Sequence, residues 1–175
     1  MRILIGKEKS TDIAYPLPWK SDGTCFNFRA PTRAISPTTK INTPEKVKTL
    51  VITCDLSEYS FIGEMVNLEQ LYIYEGKNVT ELSFLKKLTK LQQLCIVGTN
   101  LEFLDGLVEL IEKKSEIYQE FADKSPAEEL RGRLTYGFEG IYLQSDKYEG
   151  DGKEILMPNI LRKKDVCING KYICE

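Results

Sequence analysis

Few side chains in this chain could do chemistry, and their types exclude more than they offer. The 175 residues include no histidine, so Ser-His-Asp and Cys-His arrangements and histidine-containing zinc sites cannot be built. C-x-x-C, the P-loop and G-x-G-x-x-G are also missing. Glu102 with Asp105, and Glu128 with Glu129, are paired carboxylates of the kind that acid–base catalysis uses. Both pairs stand where a solvated face or a helix cap accounts for them. A hydrolase built on Cys95 is the remaining enzymatic route, and the expectation is a chain that is not an enzyme and takes no cofactor. Asn78-Val79-Thr80 matches a glycosylation acceptor, which has no meaning in a cytosolic protein.

The five cysteines are odd in number and scattered in spacing, which argues against a disulfide framework. Cys167 and Cys174 flank Asn169-Gly170, a two-residue hairpin turn. That register sets Cys167 opposite Tyr172 and Cys174 opposite Asp165. The two sulfurs then share a face diagonally, too far apart for an unstrained bridge. Cys54 and Cys95 read as small strand side chains.

With catalysis set aside, the question is what elements would present a binding surface. Leu68, Leu71 and Ile73 follow the order L-x-x-L-x-I, which returns as Leu91, Leu94 and Ile96 and appears upstream as Val47, Leu50 and Ile52. The intervals between the L-x-I pairs are 21 residues (50 to 71) and 23 residues (71 to 94). The alternating half of each copy predicts a short strand. The residues three apart (Leu82, Leu85, Leu88) predict a turn of 3₁₀ or α-helix.

This period and internal spacing resemble the leucine-rich-repeat family, nearest its short internalin-type class, over residues 47–110. The chain departs from that pattern at the family's turn asparagine, where Asp55, Gly76 and Thr99 stand, with Asn78 and Asn100 close by. The resemblance implies an α/β solenoid with a short-stranded parallel sheet of about five to six strands. It also implies 3₁₀ or short helices on the convex side. Secreted internalins carry a signal sequence and a surface anchor. Met1 to Lys7 is too short an apolar run for such a signal, so their adhesive role is not transferred.

In L-x-x-L-x-L the large apolar residues point into the core, and the residues between them project from the concave face. Those are Thr49, Val51 and Thr53; Gln70, Tyr72 and Tyr74; Gln93, Cys95 and Val97. Two tyrosines on one strand, flanked by glutamines, give flat amphipathic contact area of the kind found in interface hot spots. Asn27 and Arg29 would extend the face if the N-terminal pairs are strands.

Those pairs are Ile3-x-Ile5 and Phe26-x-Phe28, which place Ile3, Phe26, Leu50, Leu71 and Leu94 as successive strand positions. The prolines between them forbid regular helix and allow extended segments, and Trp19 reads as a lid over the first layer. After the third clear repeat the pattern changes, and Asp105 is expected to cap a helix bearing Leu107, Leu110, Ile111, Ile117, Tyr118 and Phe121. Ser125-Pro126-Ala127-Glu128 predicts the start of a second, short helix. Tyr136 to Gln144 reads as strand, with Ile141-x-Leu143 rejoining the sheet. Asp146 to Lys153 is a polar loop, and Asp165 to Cys174 a hairpin.

One domain is expected: 1–43 as an N-terminal cap with degenerate repeats, 44–111 as repeats, and 112–175 as a C-terminal cap. An open parallel sheet leaves unpaired backbone groups at each end, which is why caps are required; an accessory binding module is the alternative for the last segment. Net charge is −2, with nine basic against four acidic residues over 1–48 and four against ten over 49–112. That balance gives no global bias toward nucleic acid. No stretch reaches membrane-spanning length. The expected protein is cytoplasmic and binds another protein on its concave face. Carbohydrate binding through the tyrosines, and a toxin-neutralising or enzyme-inhibiting role, are the alternatives.

Overall fold

The computed structural model describes residues 1–6, 14–16, 25–27, 32–155 and 166–173. The L-x-I alternations become strands whose aliphatic residues stand in register. With β1 at Arg2–Ile5, β5 at Thr49–Ile52, β6 at Gln70–Ile73, β7 at Gln93–Thr99, β8 at Gly140–Ser145 and β9 at Val166–Ile168, two columns cross the sheet. One runs Ile3, Leu50, Leu71, Leu94, Ile141 and Val166; the other runs Ile5, Ile52, Ile73, Ile96, Leu143 and Ile168. Every member is buried. Burying one such side chain is worth roughly 1.5–3 kcal/mol, so the columns are the main stabilising feature.

The molecule is α/β, with an open sheet of eight strands in the order β10-β9-β8-β7-β6-β5-β1-β4. Here β4 is Thr32–Ile35 and β10 is Lys171–Tyr172. All neighbours are parallel except the β9/β10 hairpin. From β5 to β10, order in space equals order in the chain. The N-terminal end differs. There β1 lies between β4 and β5, while Phe26 belongs to β3 (Cys25–Asn27), which pairs antiparallel with β2 (Ala14–Pro16) as a separate ribbon. Phe26 is therefore not a strand position between Ile3 and Leu50, and eight strands replace the five or six expected. The partner of Phe26 is Tyr15, nearer in the chain than Ile3 or Leu50, and a nearer partner costs less chain entropy to reach. Trp19, Phe28, Arg29 and Cys174 lie outside the described residues.

The connections lie on the aliphatic face. The 3₁₀ turns η1 (Pro44–Lys46), η2 (Ser60–Glu64) and η3 (Ser83–Lys87) pack in sequence order. Helix α1 (Asp105–Ala122) continues the row, followed by η4 (Lys153–Ile155). Side chains in the turns tie each connection to its predecessor. Asn78 Nδ2 donates to the Leu56 carbonyl at 3.0 Å, and Asn100 Nδ2 to the Lys77 carbonyl at 2.8 Å. Asp55 Oδ1 accepts from the Asn78 backbone N–H. Asn78 and Asn100 thus bond the turns after Gly76 and Thr99, and Asp55 itself takes part in the turn at 55.

Three boundaries in the C-terminal half differ from expectation. Asp105 is the first residue of α1 and Leu104 its cap, with no side-chain capping bond. The second helix, α2, runs the full length Pro126–Tyr136, capped by Ser125, whose side chain accepts from the Glu128 N–H. Its stop at Gly137 delays the next strand to Gly140 rather than Tyr136. The Asn169-Gly170 turn and the Cys167–Tyr172 pairing are as the hairpin register requires.

Helix α1 buries Leu107, Leu110, Ile111 and Tyr118 on one stripe, and Lys114 falls on the same stripe, fully buried. Its Nζ donates to the Thr89 carbonyl at 3.0 Å and to the Leu91 carbonyl, and lies 4.2 Å from the centre of the Phe138 ring. The three N–H bonds of an ammonium thus have three acceptors, counting the ring face. Burial nevertheless pulls the pKa of Lys114 down to about 7. This lysine fastens α1 to the turn leading into β7. In the first turn of α1, a Cβ on Gly106 would collide with the Leu82 carbonyl, so glycine permits the close approach to η3.

Candidate interaction face

Strand alternation places the side chains between the columns on the sheet's second face, and register sorts the nine expected contact residues into three rows. The first row holds Thr49, Gln70 and Gln93 and the second Val51, Tyr72 and Cys95; the third, Thr53, Tyr74 and Val97, continues the alternation two residues on, where the Tyr74 N–H still donates to the Ile52 carbonyl. All nine are therefore brought together.

The first row is a hydrogen-bonded ladder. Thr49 Oγ1 donates to Gln70 Oε1 at 3.1 Å, and Gln70 Nε2 donates to Gln93 Oε1 at 3.2 Å. Gln93 Oε1 also accepts from the Tyr72 hydroxyl, while Gln93 Nε2 donates to Glu139, just before β8. Thr49 and Gln93 are buried and satisfied by these bonds, as buried polar groups must be; Gln70 is half-buried.

The second row was expected to be open and is closed. Val51 and Tyr72 are each 1% exposed and Cys95 0%. They form a second, small apolar cluster with Leu4, against which Tyr74, Val97 and Tyr142 pack. In register the row runs Leu4, Val51, Tyr72, Cys95, Tyr142 and Cys167. Tyr72 is therefore an internal anchor and not a contact residue. Alternation reports the face a residue points to; it does not report what else covers that face. Burial pushes the Tyr72 hydroxyl well above the ordinary phenol range, with the nearby Cys95 and Glu139 acting in the same direction and Arg2 against it. Burial raises the Cys95 thiol to about 12, so its thiolate, the nucleophilic form, is strongly disfavoured at neutral pH.

Solvent reaches the third row. Thr53, Tyr74 and Val97 are half-buried, as is Tyr142 in the row beside it. Sequence reasoning missed Leu4 and Tyr142 as members of this face. The signal was there in Ile3-Leu4-Ile5 and Ile141-Tyr142-Leu143, where one residue sits between two core positions. Asn27 does not extend the face, because β3 belongs to the other ribbon. Among the described residues, no cluster of three or more cysteine or acidic side chains is placed to hold a metal ion. No helix there is long and apolar enough to cross a membrane. Comparison with protein-family models, with curated proteins and with solved structures gives no match in any of the three.

Proposed function

We propose that the chain is a small leucine-rich-repeat solenoid of the short internalin-like kind, and that it works by binding another protein without catalysis. Chain-ordered strands from β5 onward, two unbroken aliphatic columns and connections packed in the same order support the solenoid reading. Each coil would bury its neighbour's apolar edge, the energetic logic of repeat architectures.

The observation that carries the binding reading is the division of the second face. The closed part of the middle row, from Leu4 to Cys95, holds the face rigid; the half-buried Thr53, Gln70, Tyr74 and Val97 border it and half-buried Tyr142 continues it. Tyrosines held by packing lose little entropy on binding, which favours them as interface anchors. The contact set is accordingly these five, with Val51, Tyr72 and Cys95 as their support.

Affinity capture from the source cell tests this, with wild type, Tyr74→Ala/Val97→Ala and, on the helical side, Lys87→Ala as baits. The expected result is a specific protein lost at least tenfold from the double variant and retained by Lys87→Ala. Equal capture by all three baits, or loss with Lys87→Ala alone, would move the site off this face.

A further inference from the structure

The two edges of the sheet differ. The β10 edge offers only Lys171 and Tyr172. The β4 edge offers four residues, Thr32–Ile35, whose pairing partner among the described residues is β1 alone. Among the described residues no strand pairs with its outer backbone donors and acceptors, and such an edge is a template for another strand. Register sets Arg33 beside Ile3 and Ile35 beside Ile5, so both lie on the helix-bearing face. A small recess opens there, lined by Met1, Ile3, Arg33, Ile35, Lys40 and Ile41. Among the described residues it is the place where the aliphatic columns end.

Charge selects the occupant. Over residues 32–48 the basic groups are Arg33, Lys40, Lys46 and Lys48, and the acidic one is Glu45. Arg33 and Lys40 are exposed, and neither forms an ion pair among the described residues. Lys48 is neutralised by Glu69 at 2.8 Å. A second copy of this chain added edge to edge would bring Arg33 and Lys40 toward their own like charges, which opposes pairing. An acidic strand gains where a copy of this chain loses.

We propose that β4 accepts an extended acidic segment of another protein as a ninth strand, with a carboxylate opposite Arg33 and an aliphatic side chain in the recess beside Ile35. Main-chain bonds supply the attachment and the charge supplies the choice, the division of labour in strand addition. The site is independent of the second face, so either reading stands if the other fails.

The probe is a fluorescein-labelled peptide, Thr-Val-Thr-Glu-Thr-Val-Thr, whose central Glu has Val two residues away in both directions and so suits either strand direction. Anisotropy titration is run up to about 1 mM protein, the weak end of specific recognition. The Glu peptide should bind at least tenfold more tightly than its Lys counterpart and weaken as salt rises. Of two versions N-methylated at alternate residues, one phase should lose binding and the other keep it, because only one set of N–H groups faces β4. Arg33→Glu, with unchanged circular dichroism and Tm, should reverse the Glu/Lys preference. No binding, equal binding of the Glu and Lys peptides, or binding kept by both N-methylated versions would overturn the proposal.

Discussion

On the helix-bearing face of the sheet, two positions in each of six strands are aliphatic, in register and buried. On the other face the same strands carry a threonine–glutamine ladder, a closed row centred on Tyr72, and a half-open row with Tyr74 and Val97. The first face is one material repeated; the second changes character every two residues along the strand. The columns of the first make up the main core, which leaves the second free to vary. Even so, its middle row has become a second core. The lesson is that a strand's outward side is not one surface, and burial there has to be settled row by row.

The largest effect tests the first face. Leu94→Ala opens a cavity in a fully buried column and should cost about 2–5 kcal/mol, read from urea unfolding. The second face should match it in its middle row alone. Tyr72→Ala is expected to cost about 3–5 kcal/mol, because it removes a buried ring and the hydroxyl that Gln93 Oε1 accepts from. Tyr72→Phe should cost about 1 kcal/mol, since Gln70 still donates to that oxygen. A Tyr72→Ala loss below about 0.5 kcal/mol would mean that the middle row is open, and the two faces would then differ throughout.

A smaller, pH-dependent effect belongs to Lys114 beneath the first face. Its folded pKa of about 7 lies below the ordinary lysine value of 10.5. Between those values the unfolded chain binds the proton that the folded one has shed, so stability rises with pH across that window. Unfolding free energy measured from pH 7.5 to 9.5 should climb in wild type and stay flatter in Lys114→Met. Parallel slopes would show that Lys114 keeps its ammonium throughout, held by the Thr89 and Leu91 carbonyls and the Phe138 ring.

Legibility followed the same division. Leu50, Leu71 and Leu94, and the return of Ile141-x-Leu143 to the sheet, could be read because the same apolar-x-apolar pair marks each of these strands. Phe26 misled because an apolar pair at the right interval says nothing about a nearer partner, here Tyr15. β4 was invisible because Arg33-Ala34-Ile35 lacks the apolar pair that marks its neighbours. Tyr136 to Gln144 reads as strand from sequence, but α2 holds Tyr136 and ends at Gly137. Lys114 could not be singled out from sequence, since no local pattern announces two carbonyls 23 and 25 residues upstream. The nine face residues were legible as a set, but their exposure was not, because it depends on what packs over them.

Thiol labelling resolves the rows of the second face directly. Peptide-resolved alkylation by iodoacetamide would compare native Cys95 with a cysteine introduced by Val97→Cys, one strand position pair further along the same face. The closed-row account predicts that Cys95 reacts on the order of 100-fold more slowly, since it must wait for local opening and for a disfavoured thiolate. Equal rates at the two positions would contradict it.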